Sequence, residues 1–188
     1  MKIGFIGAGN MALAIAKGMI ASAKYKASDI VMSGPNQAKL DGIAKELGVT
    51  GTTDNGKAAD CDIVVLSVKP QMIDTVLAAT NVNKHSPLII SVMAGITTAS
   101  LASKIGGKPR IVRTMPNTPL LIQKGMTALC AGEFATEDDM IATKAIFDCA
   151  GSSIVVKEAQ MDGVGAISGV GPAYFFLIFA AMSGSGGK

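Results

Sequence analysis

The sequence predicts an α/β protein built on a doubly wound, mostly parallel sheet. Short continuous apolar runs recur along the chain, as is typical of parallel strands that are buried on both faces. These runs alternate with helical segments, and a βαβα order predicts crossover connections within one sheet. The 188 residues are 49% hydrophobic and include 22 glycines, so the chain can bury a sizeable core and make many tight turns.

The first half of the chain supplies four strand candidates and the helices between them. Asn36 is a suitable helix cap, Gly48 a helix-ending glycine, and Pro70 suits the first turn of a helix. The predicted strands cover residues 3–6, 29–32, 62–68 and 88–93. The predicted helices cover 10–23 and 36–48 and begin again at Pro70, with a short strand or loop at 49–53 and a brief helix from Asp54 or Asn55.

The second half continues the alternation as far as residue 156. A helix is predicted over 98–105, and strands over 110–115, 126–131 and 153–156. Between the last two strands, Thr136-Glu137-Asp138-Asp139 predicts the start of a helix that ends near Gly151. Thr136 is the expected cap, with the acidic residues at the positive end of the helix dipole. A paired-carboxylate catalytic site is the weaker interpretation of the same residues.

A change in composition near residues 157–162 predicts a domain boundary. Residues 1–157 form the sheet domain in this division, and residues 158–188 begin a second, helical domain. Residues 173–182 read AYFFLIFAAM, an apolar run of about ten residues, which is too short to span a bilayer. SGSGGK follows and is typical of linkers.

Composition argues against several classes of function. The net charge is +3 with dispersed basic residues, which predicts no nucleic-acid face. A strand that starts at residue 3 leaves no signal peptide, and Cys61, Cys130 and Cys149 lack metal or C-x-x-C spacing, so we expect reduced thiols in a cytoplasmic protein. His85 is the only histidine and lies in the predicted turn 83–87 without a Ser-His-acid set, which argues against triad hydrolysis, and no zinc spacing or other metal site is predicted.

The motif G-x-G-x-x-A opens the chain at residues 7–12, between an apolar strand and a helix. Gly7 allows the tight turn, Gly9 allows a pyrophosphate to approach the backbone, and Ala12 lets the helix pack closely on the sheet. The helix then points its positive end at the anion. This context predicts a Rossmann-type dinucleotide site rather than an ordinary glycine turn.

The end of the second strand indicates which dinucleotide is bound. NAD-selective folds place Asp or Glu there, whereas this chain has Ser33-Gly34-Pro35-Asn36. A carboxylate would repel a 2′-phosphate, and these groups, with Lys39 nearby and Asn55 on a later loop, would not. We therefore predict NADP(H), with NAD(H) less favoured. The same residues also serve as ordinary caps and turns.

Three motifs follow predicted strands: VKP at 68–70, MAG at 93–95 and MPNTP at 115–119. Ligands of open α/β sheets bind beyond the carboxyl ends of the strands, so we expect the three motifs to line one crevice. The prolines at 70, 116 and 119 would hold a nicotinamide ring rigidly against a substrate. Plain turn chemistry is the alternative for each proline.

Residues 1–182 resemble pyrroline-5-carboxylate reductases, on five motifs in the same order. The motifs are IGFIGAGNMA at 3–12, SVKPQ at 67–71, RTMPNTP at 113–119, MD at 161–162 and SGVGPAY at 168–174. The resemblance implies NADPH-dependent reduction of a small-molecule substrate, 1-pyrroline-5-carboxylate, to L-proline, the last step of proline biosynthesis. Hydride would pass to the imine carbon while the imine nitrogen takes a proton.

The resemblance also implies roles for individual residues. Candidate catalytic residues are Asn117, within MPNTP, and Glu158, near the substrate, although Glu158 could equally be a solvated loop glutamate. The cofactor residues divide by the part of NADPH that they would contact: Gly7, Ala8, Gly9, Asn10 and Met11 at the pyrophosphate; Ser33, Asn36 and Asn55 at the ribose phosphate; Val68, Lys69, Pro70, Ala94 and Gly95 at the nicotinamide half.

The chain departs from the family pattern in two ways. Val170 stands where the family has a serine, and Gly165 where threonine is common; loss of a hydrogen-bonding hydroxyl would cost about 1 kcal/mol. The family continues with a helical dimerisation domain that holds the substrate carboxylate, and this chain carries only its start. We therefore expect a homo-oligomer formed through residues 163–182 and impaired activity. A catalytically silent NADP-binding module and a related hydroxyacid-type dehydrogenase, against which RTMPNTP argues, remain the alternatives.

Overall fold

The computed structural model describes residues 1–185, so the SGSGGK segment lies partly outside the described residues. The strands are β1 Ile3–Ile6, β2 Ile30–Ser33, β3 Thr50–Thr52, β4 Ile63–Leu66, β5 Leu88–Ser91, β6 Arg110–Met115, β7 Gly125–Ala131 and β8 Gly151–Val155. The α-helices are α1 Asn10–Ala21, α2 Gln37–Leu47, α3 Asn55–Ala59, α4 Ile73–Ala79, α5 Thr98–Ile105, α6 Glu137–Phe147, α7 Met161–Val164 and α8 Gly171–Ser185.

The eight strands form one sheet in the order β3-β2-β1-β4-β5-β6-β7-β8. The first six strands are parallel, β7 runs antiparallel to β6, and β8 is parallel to β7. The link from β6 to β7 contains only the 3₁₀ turn Thr118–Ile122, too little chain for a crossover, so the strand reverses direction. The predicted doubly wound, mostly parallel sheet is confirmed.

Helices cover both faces of this sheet, and the side chains of each strand alternate between two core clusters. In β4, Ile63 and Val65 face the cluster beneath α1, α2 and α6, whereas Val64 and Leu66 face the cluster beneath α4 and α5. All four residues are buried. Burial on both faces explains why the strands read as continuous apolar runs.

Most predicted helix ends are observed, and several strands are shorter than predicted. Asn36 caps α2 by accepting a hydrogen bond from the Lys39 amide at 3.0 Å, and Gly48 ends the helix in a left-handed conformation. The prediction of a strand over 62–68 is too long, because the Ser67 hydroxyl turns back to the Gly7 carbonyl at 2.7 Å. The strand predicted at 88–93 likewise ends at Ser91.

The predicted helix start at Thr136 is confirmed as a capping box. The Thr136 hydroxyl accepts from the Asp139 amide while the Asp139 carboxylate accepts from the Thr136 amide. The helix ends at Phe147 rather than near Gly151, because Gly151, with a φ of 154°, already begins β8. These acidic residues, in the first turn of α6, therefore stabilise the N-terminal end of that helix.

The helical segment after β8 begins against the sheet and ends exposed. Met161 is fully buried against Met115, Ala128 and Cys130. Along α8, the large apolar side chains are 53–69% exposed: Tyr174, Phe175, Phe176, Leu177, Ile178, Phe179 and Met182. The division of the chain after residue 157 stays a prediction, and it falls two residues beyond the end of β8.

The apolar run continues into a longer helical stretch than its composition indicated. Glu158–Gly184 forms a helical stretch of 27 residues that contains an 18-residue window with a mean hydropathy of 1.8, long and apolar enough by length and composition to cross a membrane. The run 173–182, predicted to be too short to span a bilayer, therefore lies within a helical stretch that is not too short. One such helix is weak evidence for a membrane span.

A buried arginine, paired with one carboxylate that is partly exposed and one that is largely exposed, attaches this segment to the sheet. Arg113 on β6, with a side chain 1% exposed, contacts Glu158 Oε1 at 2.6 Å and Asp162 Oδ1 at 2.8 Å. Glu158 Oε2 accepts from the Thr98 hydroxyl at 2.6 Å. Burial would raise the pKa of Glu158, but the hydrogen bonds from Thr98 and Arg113 outweigh it and lower the pKa below its usual value.

The lowered pKa of Glu158 predicts a pH-dependent contribution to stability. The contribution is complete above the unfolded-state pKa of about 4.3 and is lost as the pH falls through the folded-state pKa. We expect Glu158→Gln to lower the free energy of unfolding by about 1 kcal/mol near neutral pH, and the difference from wild type to shrink in acid. Urea denaturation of both proteins at neutral pH and at a series of increasingly acidic pH values measures this; a difference that does not shrink along that series contradicts it.

Candidate active site

A cavity of about 520 Å³ lies beyond the carboxyl ends of β1, β2 and β4. The strand order reverses direction between β1 and β4, which opens a crevice at this edge of the sheet. The glycine loop forms its floor, and the segments that follow β2 and β4 form its sides. The predicted site residues that line this first cavity are Gly7, Ala8, Gly9, Asn36, Asn55, Val68 and Lys69.

The glycine loop has the geometry that close approach of an anion requires. Gly7 has a φ of 106°, and a Cβ there would lie 2.6 Å from the Ser67 carbonyl oxygen, so only glycine fits. A Cβ on Gly9 would meet no protein atom within 4 Å, because this position faces open space. Gly9 caps α1, whose first turn has no capping side chain and no acidic residue, so its positive end is available to a phosphate.

The far side of the first cavity is cationic and free of acidic residues. Lys39 and Lys69 are among the residues that line it, and none of those residues is Asp or Glu. Asn36 lies there too, although its side-chain oxygen already accepts from the Lys39 amide. The absence of a carboxylate among the lining residues agrees with the predicted preference for a 2′-phosphate.

Ser33 acts on this cavity indirectly. Its side chain is fully buried, and its hydroxyl lies 2.8 Å from Asn55 Oδ1 and 3.2 Å from the Phe5 carbonyl oxygen. Asn55 lines the cavity, so Ser33 orients the amide of Asn55 rather than contacting a ligand itself. Asp54, which precedes Asn55, caps α3 through the Gly56 amide at 2.8 Å.

A second cavity of about 450 Å³ lies beyond the ends of β5 and β6. The strand-end side is formed by Val92, Ala94, Gly95, Met115 and Pro116, and the opposite wall by Asp162, Gly165, Gly169 and Val170. Met11 also lines it, whereas Gly9 lines the first cavity. The two cavities therefore flank the same glycine loop.

The expectation of one crevice lined by VKP, MAG and MPNTP is corrected by this division. Val68 and Lys69, predicted at the nicotinamide half, line the first cavity, because they follow β4 next to β1. Ala94, Gly95 and Pro116 line the second. Pro70 begins the 3₁₀ turn Pro70–Met72, and Asn10 is the exposed first residue of α1; neither is among the lining residues.

The two candidate catalytic residues make internal contacts and are not among the residues that line either cavity. Asn117 accepts from the Met126 amide at 2.9 Å and donates to the Ser168 hydroxyl at 3.0 Å. Glu158 is held by Arg113 and Thr98, so it is not a freely solvated loop glutamate. Both residues connect the sheet edge to the segment that forms the second wall.

The two departures from the family pattern meet in the second cavity. Gly165 and Val170 both line it, so the missing hydroxyls would have faced this space. A Cβ on Gly165 would lie 3.4 Å from the terminal methyl carbon of Met115, so a side chain there would fill part of the cavity. This wall is consequently less polar than the family pattern implies.

Sequence analysis did not assign roles to Arg113 and Asp162. Arg113 is one of the largest fully buried side chains, and its Nε has no hydrogen-bond partner within the described part of the chain. β6 reads RIVRTM, so Arg113 is the second arginine of the strand, and a charged residue between Val112 and Thr114 inside a buried strand could have marked it. Burial raises the pKa of the nearby Cys130 thiol and Glu158 raises it further, so Cys130 is not an activated nucleophile.

Comparison with known proteins agrees with the geometry. Residues 2–95 match the family described as NADP oxidoreductase, coenzyme F420-dependent. The chain is 40% identical to the pyrroline-5-carboxylate reductase of Pseudomonas aeruginosa, a match that covers 100% of this chain and 69% of that protein.

Two solved structures show the same likeness in three dimensions. A pyrroline-5-carboxylate reductase from Coxiella burnetii superposes with a TM-score of 0.88 at 37% identity, covering 98% of this chain and 70% of that one. A Plasmodium falciparum pyrroline carboxylate reductase with NADP bound has a TM-score of 0.87 at 32% identity, covering 99% and 69%. With its Rossmann-type sheet, its glycine loop and these relatives, the chain belongs to the pyrroline-5-carboxylate reductase family.

Proposed function

We propose that this chain reduces 1-pyrroline-5-carboxylate to L-proline with NADPH, as an oxidoreductase acting on a CH–NH group in proline biosynthesis. The observation that carries the proposal is the pair of cavities on either side of one glycine loop. The first is long, cation-lined and next to the uncapped end of α1, which suits the adenosine and pyrophosphate of a dinucleotide. The second is smaller and adjoins Met11 and Gly95, which suits a nicotinamide ring and a small imine.

In this proposal the residues of the chain bind and orient the reactants. When bound, NADPH supplies the hydride, which goes to the imine carbon, while the nitrogen takes a proton from the surroundings. Gly7 to Met11 hold the pyrophosphate, and Asn36 and Asn55 hold the ribose phosphate, with Ser33 fixing Asn55. Val68 and Lys69 contact the cofactor from the side of the first cavity, Pro70 holds the turn that follows them, and Ala94 and Gly95 border the nicotinamide.

Glu158 and Asn117 contribute to the reaction by holding in place the helical wall of the second cavity. Glu158 accepts hydrogen bonds from Arg113 and Thr98, and Asn117 joins Met126 to Ser168. A fixed wall orients the imine against the ring and excludes water, which accelerates hydride transfer by proximity. We propose this positional role for both residues.

A dinucleotide-binding module without turnover is the second candidate function. The first cavity is lined entirely by residues between 6 and 79, so cofactor binding does not require the helical segment. The chain spans about 70% of the length of the relatives that it matches.

Pyrroline-5-carboxylate-dependent oxidation of NADPH by the 188-residue chain tests the proposal. We expect NADPH to bind, measured by calorimetry, and the absorbance of NADPH to fall only when the imine is present. Release of proline, quantified in the same samples, controls for non-enzymatic oxidation. Binding without turnover supports the module, and absence of binding contradicts both functions.

Asn36 offers a conservative test of cofactor preference. Asn36→Asp keeps a capping oxygen for the Lys39 amide but adds a carboxylate to the first cavity. We expect the dissociation constant of NADPH to rise about tenfold, a difference of about 1.4 kcal/mol, and that of NADH to change little, because only NADPH carries the 2′-phosphate. Asn36→Ser, which caps without a charge, is the matched control. Equal losses for both nucleotides would contradict the preference.

We further propose that the chain forms a homo-oligomer through residues 163–182 in the cytoplasm. The odd number of cysteines, without metal or C-x-x-C spacing, supports a reducing compartment. Each large side chain exposed along α8 forgoes roughly 1.5–3 kcal/mol of burial. In the proposed oligomer a second copy of the chain covers this helix, because the exposed apolar side chains of α8 suit a partner surface that is equally apolar.

The proposed interface along α8 predicts the oligomeric state of the chain in solution. We expect sedimentation velocity at micromolar concentration to show a dimer or a larger closed oligomer. Phe176 and Phe179 lie on one side of α8. Replacing both with glutamate is expected to shift the association equilibrium of the chain toward monomer, because two buried charges oppose association. Replacing the exposed Ile141 of α6 with glutamate is the control. A monomeric wild-type chain would contradict the proposal.

A further inference from the structure

Arg113 occupies a costly position for a charged side chain. It lies in the middle of β6, between the buried residues Val112 and Thr114, and is itself 1% exposed. A buried guanidinium must be paired with carboxylates to offset the loss of hydration. The backbone hydrogen bonds of the sheet do not require an arginine side chain at this position. The role of Arg113 therefore lies in the residues that its guanidinium contacts.

The guanidinium joins three elements that are distant in sequence. Its Nη1 donates to Glu158 and its Nη2 to Asp162, four residues apart in the helical segment after the sheet. Glu158 in turn accepts from both the amide and the hydroxyl of Thr98, at the start of α5. Arg113 therefore connects the sheet, α5 and this segment at one point.

The segment that Arg113 holds is also the wall of the second cavity. Asp162 accepts the hydrogen bond from Arg113 and itself lines the cavity. Gly165, Gly169 and Val170 continue the wall opposite Pro116. Further links between this wall and the sheet include the burial of Met161, the packing of Val164 against Met115, Ala128 and Cys130, and the hydrogen bond from Asn117 to Ser168.

We propose that Arg113 is a positioning residue whose paired guanidinium fixes the width of the second cavity by clamping residues 158–170 to the sheet. Its effect on hydride transfer rests on the proposed function, whereas the clamp itself does not. Lysine cannot replace arginine here, because one ammonium group cannot bond two carboxylates in the fixed fork that a guanidinium presents. The side chain does not line the cavity, so it acts through Glu158 and Asp162.

Hydrogen exchange tests the clamp without any assay of activity. Arg113→Met and Arg113→Lys are compared with Arg110→Met, because Arg110 lies on the same strand and pairs with another carboxylate, Asp139, at 3.0 Å. We expect amides in 158–170 to exchange about tenfold faster in both Arg113 variants and residues 3–33 to be unchanged. Arg110→Met should alter exchange near α6 and near Ser86, whose carbonyl oxygen accepts from Arg110 at 3.0 Å, and leave 158–170 unchanged. Unchanged exchange in 158–170 overturns the proposal, and Arg113→Lys decides the matter if Arg113→Met does not fold.

Ligand affinity tests the consequence for the site. A 2′,5′-ADP fragment contacts only the first cavity, whereas NADPH also places its nicotinamide in the second. We expect the Arg113 variants to weaken NADPH about fivefold or more and to leave 2′,5′-ADP within about twofold, and the KM for the imine to rise with kcat falling. Global destabilisation would weaken both ligands alike and overturn the proposal. If wild type binds neither ligand, the proposed function fails while hydrogen exchange still decides on the clamp.

Discussion

Burial of the parallel strands on both faces is the constraint on which the rest of the structure depends. Because each residue of β4 faces one of two core clusters, neither face of the central sheet can bind a ligand. Binding groups can lie only beyond the strand ends. The reversal of strand order at β1 and β4 makes room for the first cavity, and the ends of β5 and β6 make room for the second.

Features with a local cause could be predicted from the sequence, and features with a distant cause could not. Asn36 and Thr136 cap helices through bonds to residues three positions away, so a short pattern reveals them. The end of β4 depends instead on a bond from Ser67 to Gly7, which is 60 residues away. For the same reason the family motifs predicted the strand ends but not their division into two cavities.

The second cavity was harder to predict because its two sides come from separate parts of the chain. Arg113 and Asp162 are 49 residues apart in sequence, and no periodic pattern in the sequence predicts that they are in contact. The positions that depart from the family pattern, Gly165 and Val170, were recognised, yet only the structure places both in this wall. Arg113 was visible as a second arginine within β6, after Arg110 at its start, and its partners were not.

The two halves of the site therefore differ in what stabilises them. The first cavity belongs to the sheet and its helices, so it is as stable as the core. The second has a wall at one end of the helical stretch Glu158–Gly184, anchored near Arg113 and exposed along α8. In the proposed oligomer, a partner that covers α8 would restrain the wall from its other end, through the π-helical turn Gly165–Gly169 that joins α7 to α8. The proposed association and the geometry of the second cavity would then be linked through one stretch of chain.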